Sequence, residues 1–150
     1  MGLVGEQNIE NRRNFYRINL LAPMCAELTI LTINGKEVAK GFSPICIQDI
    51  GVGGVRFKSK LNIPMNDTVT FGIKFSIYDN EYLLPASIVW KNELKTGYIE
   101  YGCEFRMEES EREHYIPIFN KFSVEVAKNI KNIYAECKLK KGKCVKINNG

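Results

Sequence analysis

Apolar and polar residues alternate with a period of two through most of the chain, which predicts strands with one dry face and one wet face. The clearest run is 68–77, where Val69, Phe71, Ile73, Phe75 and Ile77 alternate with Thr68, Thr70, Gly72, Lys74 and Ser76. After Pro23, Ala26, Leu28 and Ile30 face one way and Glu27 and Thr29 the other, until Asn34-Gly35 ends the run. Asn-Gly between β-prone flanks predicts a type I′ hairpin, which needs positive φ at both central residues. Asp79-Asn80 predicts the next reversal, and Ala86, Ile88 and Trp90 then alternate with Ser87, Val89 and Lys91. Over 98–106, Ile99, Tyr101, Cys103 and Phe105 oppose Glu100, Gly102, Glu104 and Arg106. Strands around 43–50 and 54–58 flank the glycine cluster Gly51-Val52-Gly53-Gly54. Roughly six short strands separated by turn residues predict an all-β fold, a small antiparallel β-barrel.

From Ser110 the period becomes helical. Ser110 with Glu113 fits a capping box, and Pro117 predicts a break after a short first turn, leaving a main helix over about 115–137. Its apolar stripe is Phe119, Phe122, Val126, Ile130, Ile133 and Cys137, spaced three and four apart. The stripe is expected to pack on the barrel. A second copy of the chain is the alternative cover, so the expected state is a monomer or a weak homodimer through this helix. The expected organisation is a flexible segment over 1–11, a barrel over 12–109, a C-terminal helix over 110–137 and a basic tail over 138–150.

Composition narrows the class. The 150 residues, 45% hydrophobic and 25% charged, are those of one ordinary globular domain. No apolar run is long enough for a membrane-spanning helix. The opening residues MGLVGEQNIENRR lack the apolar stretch of a secretory signal. Five scattered cysteines, Cys25, Cys46, Cys103, Cys137 and Cys144, include no CxxC pair. Together these features predict reduced thiols and a cytoplasmic location. The net charge of +4 is concentrated at one end: five lysines (138, 140, 141, 143 and 146) leave 16 basic and 17 acidic residues elsewhere. The body is therefore no basic nucleic-acid surface, and the lysine tail reads as solvated.

Catalytic constellations are missing. The single histidine, His114, has no cysteine or carboxylate at metal-ligand spacing and reads as a capping or solvated residue. The glycine cluster lacks the Gly-Lys-Ser/Thr ending of a phosphate loop, and no GxSxG elbow or carboxylate pair is present. The expectation is a binding protein without catalytic residues, metal or cofactor.

Two constellations point to a ligand. Arg12, Arg13 and Arg17, beside Phe15 and Tyr16, hold half of the chain's six arginines. A guanidinium pairs with phosphate bidentately and stacks its flat face on a base, so two of them four residues apart can hold a phosphate and a purine together. With the aromatics they would equally make a stacking platform for single-stranded RNA, a reading the near-neutral body opposes. Farther along, Asp49 closes a strand, and Gly51, Gly53 and Gly54 follow it. That turn is open enough for a ligand ring to reach the backbone, while a carboxylate accepts hydrogen bonds from the N–H edge of guanine.

In order and spacing, Arg13-x-x-x-Arg17, the Asp49-to-Gly54 turn, Ser87-Ile88-Val89-Trp90 and Tyr101-Gly102-Cys103-Glu104-Phe105 resemble the PilZ domain family over about residues 12–135. The resemblance implies a six-stranded antiparallel barrel with a C-terminal α-helix. It also implies a receptor for cyclic di-GMP, a bacterial second messenger, that acts on motility or exopolysaccharide through a protein partner of unknown identity. Carried over, Arg13 and Arg17 clamp the ligand with Arg12 assisting. Asp49 reads guanine, Gly51, Gly53 and Gly54 shape the turn, and binding orders the arginine segment. The family's motif serine is Gly51 here. One lost neutral hydrogen bond costs about 0.5–1.5 kcal/mol, so binding is expected to be weakened rather than abolished. The alternative is a PilZ-like adaptor that binds protein and no nucleotide.

Overall fold

The structure, a computed structural model, describes residues 16–38 and 41–137, with the backbone of 139–140 and 143–144. Seven strands form one antiparallel sheet: β1 (Ile18–Ile33), β2 (Lys36–Glu37), β3 (Ser43–Gly51), β4 (Gly54–Ser59), β5 (Val69–Ile77), β6 (Asn80–Glu93) and β7 (Ile99–Phe105). Their order is β2-β1-β3-β4-β7-β6-β5, and β5 returns to pair with β1. Six strands thus close a ring, with β2 a two-residue stub on its rim. Closure removes the exposed sheet edges that would otherwise invite pairing with other chains. The expected six-stranded barrel is the fold observed.

Strand β1 makes the closure possible because it pairs twice. Its first part runs against β3 and its second against β5, from Glu27↔Lys74 to Ile33↔Val69. The register slips between Asn19 and Met24, and Leu21 stands 87% exposed in that irregular stretch. Pro23 lies there, where a missing backbone N–H removes no ladder bond, so β1 begins at Ile18 rather than after the proline.

The inward faces match the alternation. Ile45, Ile47, Ile50, Val55, Phe57, Ile73, Ile77 and Tyr101 are fully buried. Phe57 and Tyr101 stack at 5.2 Å, and the Tyr101 hydroxyl donates to Leu61 O at 2.5 Å while accepting from Ile63 N–H at 2.8 Å. The Asn34-Gly35 hairpin has positive φ at both positions (53° and 78°), as a type I′ turn requires. The later reversal falls at Tyr78-Asp79 (56° and 67°), one residue before the expected Asp79-Asn80.

The helix differs more from expectation. Helix α1 spans Glu109–Ala127, ending ten residues before the predicted limit. Its N-cap is Glu108, whose N–H donates to the Glu111 carboxylate at 3.2 Å, so the capping box sits two residues before the expected Ser110/Glu113 pair. Pro117 lies inside the helix on its exposed side, where water can satisfy the carbonyl that the proline leaves unpaired. Phe119 and Phe122 join the barrel core; Phe119 lies 6.3 Å from Phe75. Beyond Ala127, Asn129 and Asn132 adopt left-handed backbone (63° and 66°), and the chain turns back as a non-helical segment along β1. Ile133 and Cys137 are therefore buried without being helical.

That segment brings a second correction. Cys46 and Cys137, 91 residues apart, are joined as a disulfide, where scattered reduced thiols were expected. Among the described residues no helix is long and apolar enough to cross a membrane. The 1–11 segment and the lysine tail lie outside the described residues, apart from the backbone of the tail's two short paired strands, β8 (Leu139–Lys140) and β9 (Lys143–Cys144).

Candidate functional site

The site is built where β1 begins and β3 ends. Antiparallel pairing sets Asn19 opposite Asp49 and Asp49 opposite Arg56. The β3–β4 register is irregular between Ile47 and Asp49, so Ile47 and Ile50 point into the core while Asp49 emerges on the outer face. Arg17 enters just before β1 and reaches the same point.

Asp49 is only 6% exposed, and both of its carboxylate oxygens are engaged. Oδ1 accepts from Arg17 Nη1 at 3.1 Å, and Oδ2 accepts from Arg56 Nε at 2.7 Å. Arg56 Nη1 also donates to Glu100 Oε2 on β7. Burial disfavours the Arg56 charge, but hydrogen bonds and charge from Asp49 and Glu100 outweigh it and hold its pKa above the ordinary value. The result is a four-residue ionic chain, Arg17–Asp49–Arg56–Glu100, across the barrel wall. A buried carboxylate without such partners would be strongly disfavoured. Arg17 and Arg56 remain about one-third exposed, so solvent reaches part of each guanidinium, which can donate to an anion.

Glycines form the floor, and close approach rather than unusual φ is the reason for them. A Cβ on Gly51 would collide with the backbone carbonyl of Tyr16. A Cβ on Gly54 would collide with the carbonyl of Cys103 and come within 3.2 Å of Arg17 Nη2. Gly53 is half-buried, and its carbonyl accepts from Phe105 N–H at 3.0 Å, tying the turn to the end of β7. The space of the missing serine side chain is thus filled by the incoming Tyr16 backbone. The Tyr16 hydroxyl donates to Asn120 Oδ1 at 3.0 Å, which links this approach to α1.

Beneath the floor, burial pushes the Cys103 thiol up to about 12, against the opposing pull of the Arg17 charge. Beside it, the register slips between Ile88 and Trp90. Trp90 accordingly leaves the inner face and lies on Gly102, where any side chain would collide with the indole. It is 38% exposed.

Of the seven predicted site residues, Arg17, Asp49, Gly51, Gly53 and Gly54 come together, while Arg12 and Arg13 lie outside the described residues. Sequence reasoning missed Arg56 and Glu100. Both occupy outward positions of alternating strands, a signal that was present, but their juxtaposition depends on β4 lying beside β7.

A family model for the PilZ domain matches residues 11–118. No curated protein matches in sequence. Among solved structures, the chain is similar to the K. pneumoniae MrkH–c-di-GMP complex, with TM-score 0.56 and 14% identity over 78% of this chain and 54% of that one. It is similar to YcgR of Escherichia coli in complex with c-di-GMP, with TM-score 0.53 and 11% identity over 79% and 49%. The Bacillus subtilis inhibitor of motility (MotI/DgrA) aligns with TM-score 0.53 and 9% identity over 81% and 54%. The chain spans about half the length of these three proteins.

Proposed function

The chain belongs to the PilZ domain family, and on that footing we propose that it is a non-catalytic cytoplasmic receptor for the second messenger cyclic di-GMP. The observation that carries this reading is the Arg17–Asp49 pair, about one-third exposed at the arginine and buried at the carboxylate, above a floor with no side chains at Gly51 and Gly54. A doubly anionic cyclic nucleotide offers phosphates to the guanidinium and a guanine N–H edge to the carboxylate.

Binding proceeds by partner exchange. Arg17 leaves Asp49 Oδ1 for a ligand phosphate, and the freed oxygen accepts from guanine. Arg56 stays on Oδ2 and keeps the carboxylate aimed outward. Arg13, with Arg12 assisting, supplies the second guanidinium and is ordered over the ligand. Tyr16 directly precedes Arg17 in the chain and its hydroxyl holds Asn120, so its displacement changes the outer surface of α1. That surface is the output to a protein partner, with motility or exopolysaccharide control as the resulting process.

Isothermal titration calorimetry tests the reading. Wild-type protein is expected to bind cyclic di-GMP at micromolar concentration or tighter. Arg17→Ala, Arg13→Ala and Asp49→Ala should each lose about 10- to 100-fold, from charge-assisted hydrogen bonds of about 1.5–3 kcal/mol. A second reading, the nucleotide-free adaptor, is favoured by one observation: both Asp49 oxygens already have partners. Absence of heat from folded wild-type protein at saturating nucleotide overturns the receptor and leaves the adaptor.

A further inference from the structure

Three sulfurs from distant parts of the chain meet on the outer wall of the barrel, under the C-terminal segment. Cys25 and Cys46 are direct cross-strand partners in β1 and β3, hence on one face of the sheet. Their neighbours Met24, Ala26, Ile45 and Ile47 point into the core, so this face is the outer one. Cys137 arrives from the C-terminal segment and is joined to Cys46, the two Cα atoms 6.2 Å apart. Cys25 packs against this pair. Its Sγ–H donates to Glu136 O at 3.5 Å, one residue before Cys137, so the thiol lies beside both halves of the disulfide. Backbone bonds hold the approach: Cys25 N–H donates to Ala135 O at 2.8 Å and Cys137 N–H to Pro23 O at 2.6 Å. The three sulfurs differ in what reaches them. Cys46 and Cys137 are each 2% exposed, whereas Cys25 is half-buried.

We propose that Cys25 is the exchange nucleophile through which a dithiol reductant opens the Cys46–Cys137 disulfide, which makes the C-terminal segment a redox-releasable cover of the barrel. A reductant in solution meets Cys25 first, because the joined sulfurs are buried under the segment. The exchange therefore begins inside the protein. Cys25 gives its proton to water, and the thiolate attacks Cys46 Sγ. The Cys46–Cys137 bond breaks, its electron pair leaves on Cys137 Sγ, and that sulfur takes up a proton. A Cys25–Cys46 bond has replaced the first with no net change in oxidation state. The backbone already suits it. Residues paired across an antiparallel ladder lie about 4.5 or 5.5 Å apart at Cα, and a disulfide spans about 4.4–6.8 Å. The new bond has one sulfur that solvent reaches. One thiolate of the reductant attacks Cys25 Sγ, and Cys46 leaves and is protonated. The second thiol of the reductant then closes the reductant's own disulfide and releases Cys25. Two electrons and two protons have passed from reductant to protein. Cys103 is buried in the core and takes no part. The first step alone frees Cys137, leaving the segment held by hydrogen bonds and by Tyr134 against Phe122. Neither step touches Arg17, Asp49 or Arg56, so this redox input is independent of nucleotide.

The test follows reduction of the oxidised full-length protein by dithiothreitol, with acid quenching, alkylation and peptide mass mapping. Wild type is expected to pass through a species in which Cys25 is linked to Cys46 and Cys137 is alkylated. Folded Cys25→Ser is expected to lose the Cys46–Cys137 bond about tenfold or more slowly than wild type, and at the wild-type rate once unfolded in guanidinium chloride. Cys144→Ser is expected to react as wild type does. Cys137→Ser treated with diamide is expected to form the Cys25–Cys46 bond directly, which a merely structural role for Cys25 would not produce. After full reduction of wild type, the Cys25 and Cys137 amides are expected to exchange with deuterium about tenfold faster or more. Three results each overturn the proposal. One is folded Cys25→Ser reduced as fast as wild type. Another is a Cys137→Ser chain that forms no Cys25–Cys46 bond. The last is a reduced chain whose Cys25 and Cys137 amides stay as protected as in the oxidised one.

Discussion

Strand β3 carries two residues on its outer face, Cys46 and Asp49, that are both buried, and they are buried in different ways. Cys46 is 2% exposed because a length of backbone lies over it, bonded to β1 through Cys25, Pro23 and the Met24↔Glu136 bridge. Asp49 is 6% exposed because two arginine side chains close over it. A backbone cover is held by several hydrogen bonds that break together, and opening it means local unfolding. A side-chain cover opens by rotation about single bonds on a nanosecond scale. Three residues apart on one strand, the barrel therefore has a fixed seam and a gate. The receptor reading needs that difference, because the ligand must displace Arg17 without loosening the wall.

The largest effect is expected at the seam. Phe122 is fully buried and meets Tyr134 edge-to-face at 5.8 Å, and the Tyr134 hydroxyl donates to Ala22 O at 2.7 Å. Phe122→Ala should cost about 3–5 kcal/mol in urea unfolding by emptying the space that anchors the segment. Nucleotide affinity of the folded fraction should stay within about twofold, since no gate group is touched. A parallel loss of affinity would make the two covers one unit.

A third sulfur sharpens the comparison from inside the barrel. Cys103 lies under the gate, its thiol pushed up to about 12 by burial from an ordinary value of 9.0. Below about pH 9 the folded and unfolded chains both keep this proton, and its contribution is fully present. Between about 9 and 12 only the unfolded chain releases it, so stability falls as pH rises through that window. Urea midpoints from pH 8 upward should fall more steeply for wild type than for Cys103→Ala. Comparing the two removes the same-signed contribution of the tyrosines. Equal slopes would mean that solvent reaches Cys103 through the gate.

How much of this was legible depends on the range of each signal. The alternation of Phe71, Ile73, Phe75 and Ile77 is set within one strand by the pleat, so strands and barrel class follow from it. The motif Arg17, Asp49, Gly51 and Gly54 was equally legible, although the reason for its glycines was not. Turn chemistry allows for glycine at 51, but only the fold brings Tyr16 O against it. Spacing misled at the helix end. Ile130, Ile133 and Cys137 keep intervals of three and four, yet Asn129 and Asn132 tolerate left-handed backbone and let β1 draw the segment into extended pairing. The disulfide and the Arg56–Glu100 contact depend on which strands and segments become neighbours, which no local pattern encodes.

Gly51→Ser gives the next effect, and its sign is informative. It restores the hydroxyl that the family motif carries, which alone would strengthen binding. In this chain its Cβ falls on the Tyr16 carbonyl and pushes back the approach that presents Arg17. The expected outcome is an affinity roughly tenfold weaker, with the hydrogen bond from Tyr16 to Asn120 broken. Tighter binding would show instead that Tyr16 moves aside without cost and that the gate extends to the backbone.

The smallest effect separates holding from gating within the ionic chain itself. Glu100 holds Arg56 from the side away from Asp49, and its side chain is 15% exposed. Glu100→Gln keeps the shape and an acceptor oxygen but removes one negative charge near a site for a dianion. Arg56 remains on Asp49 Oδ2 at 2.7 Å, so the carboxylate keeps its aim. Affinity should therefore rise by about two- to fivefold at low ionic strength, the gain fading at physiological salt, where the screening length is about 8 Å. A fall of tenfold or more would assign Glu100 to holding Arg56 in place for the ligand. Arg56 would then be a moving part like Arg17, and the gate would have two leaves rather than one.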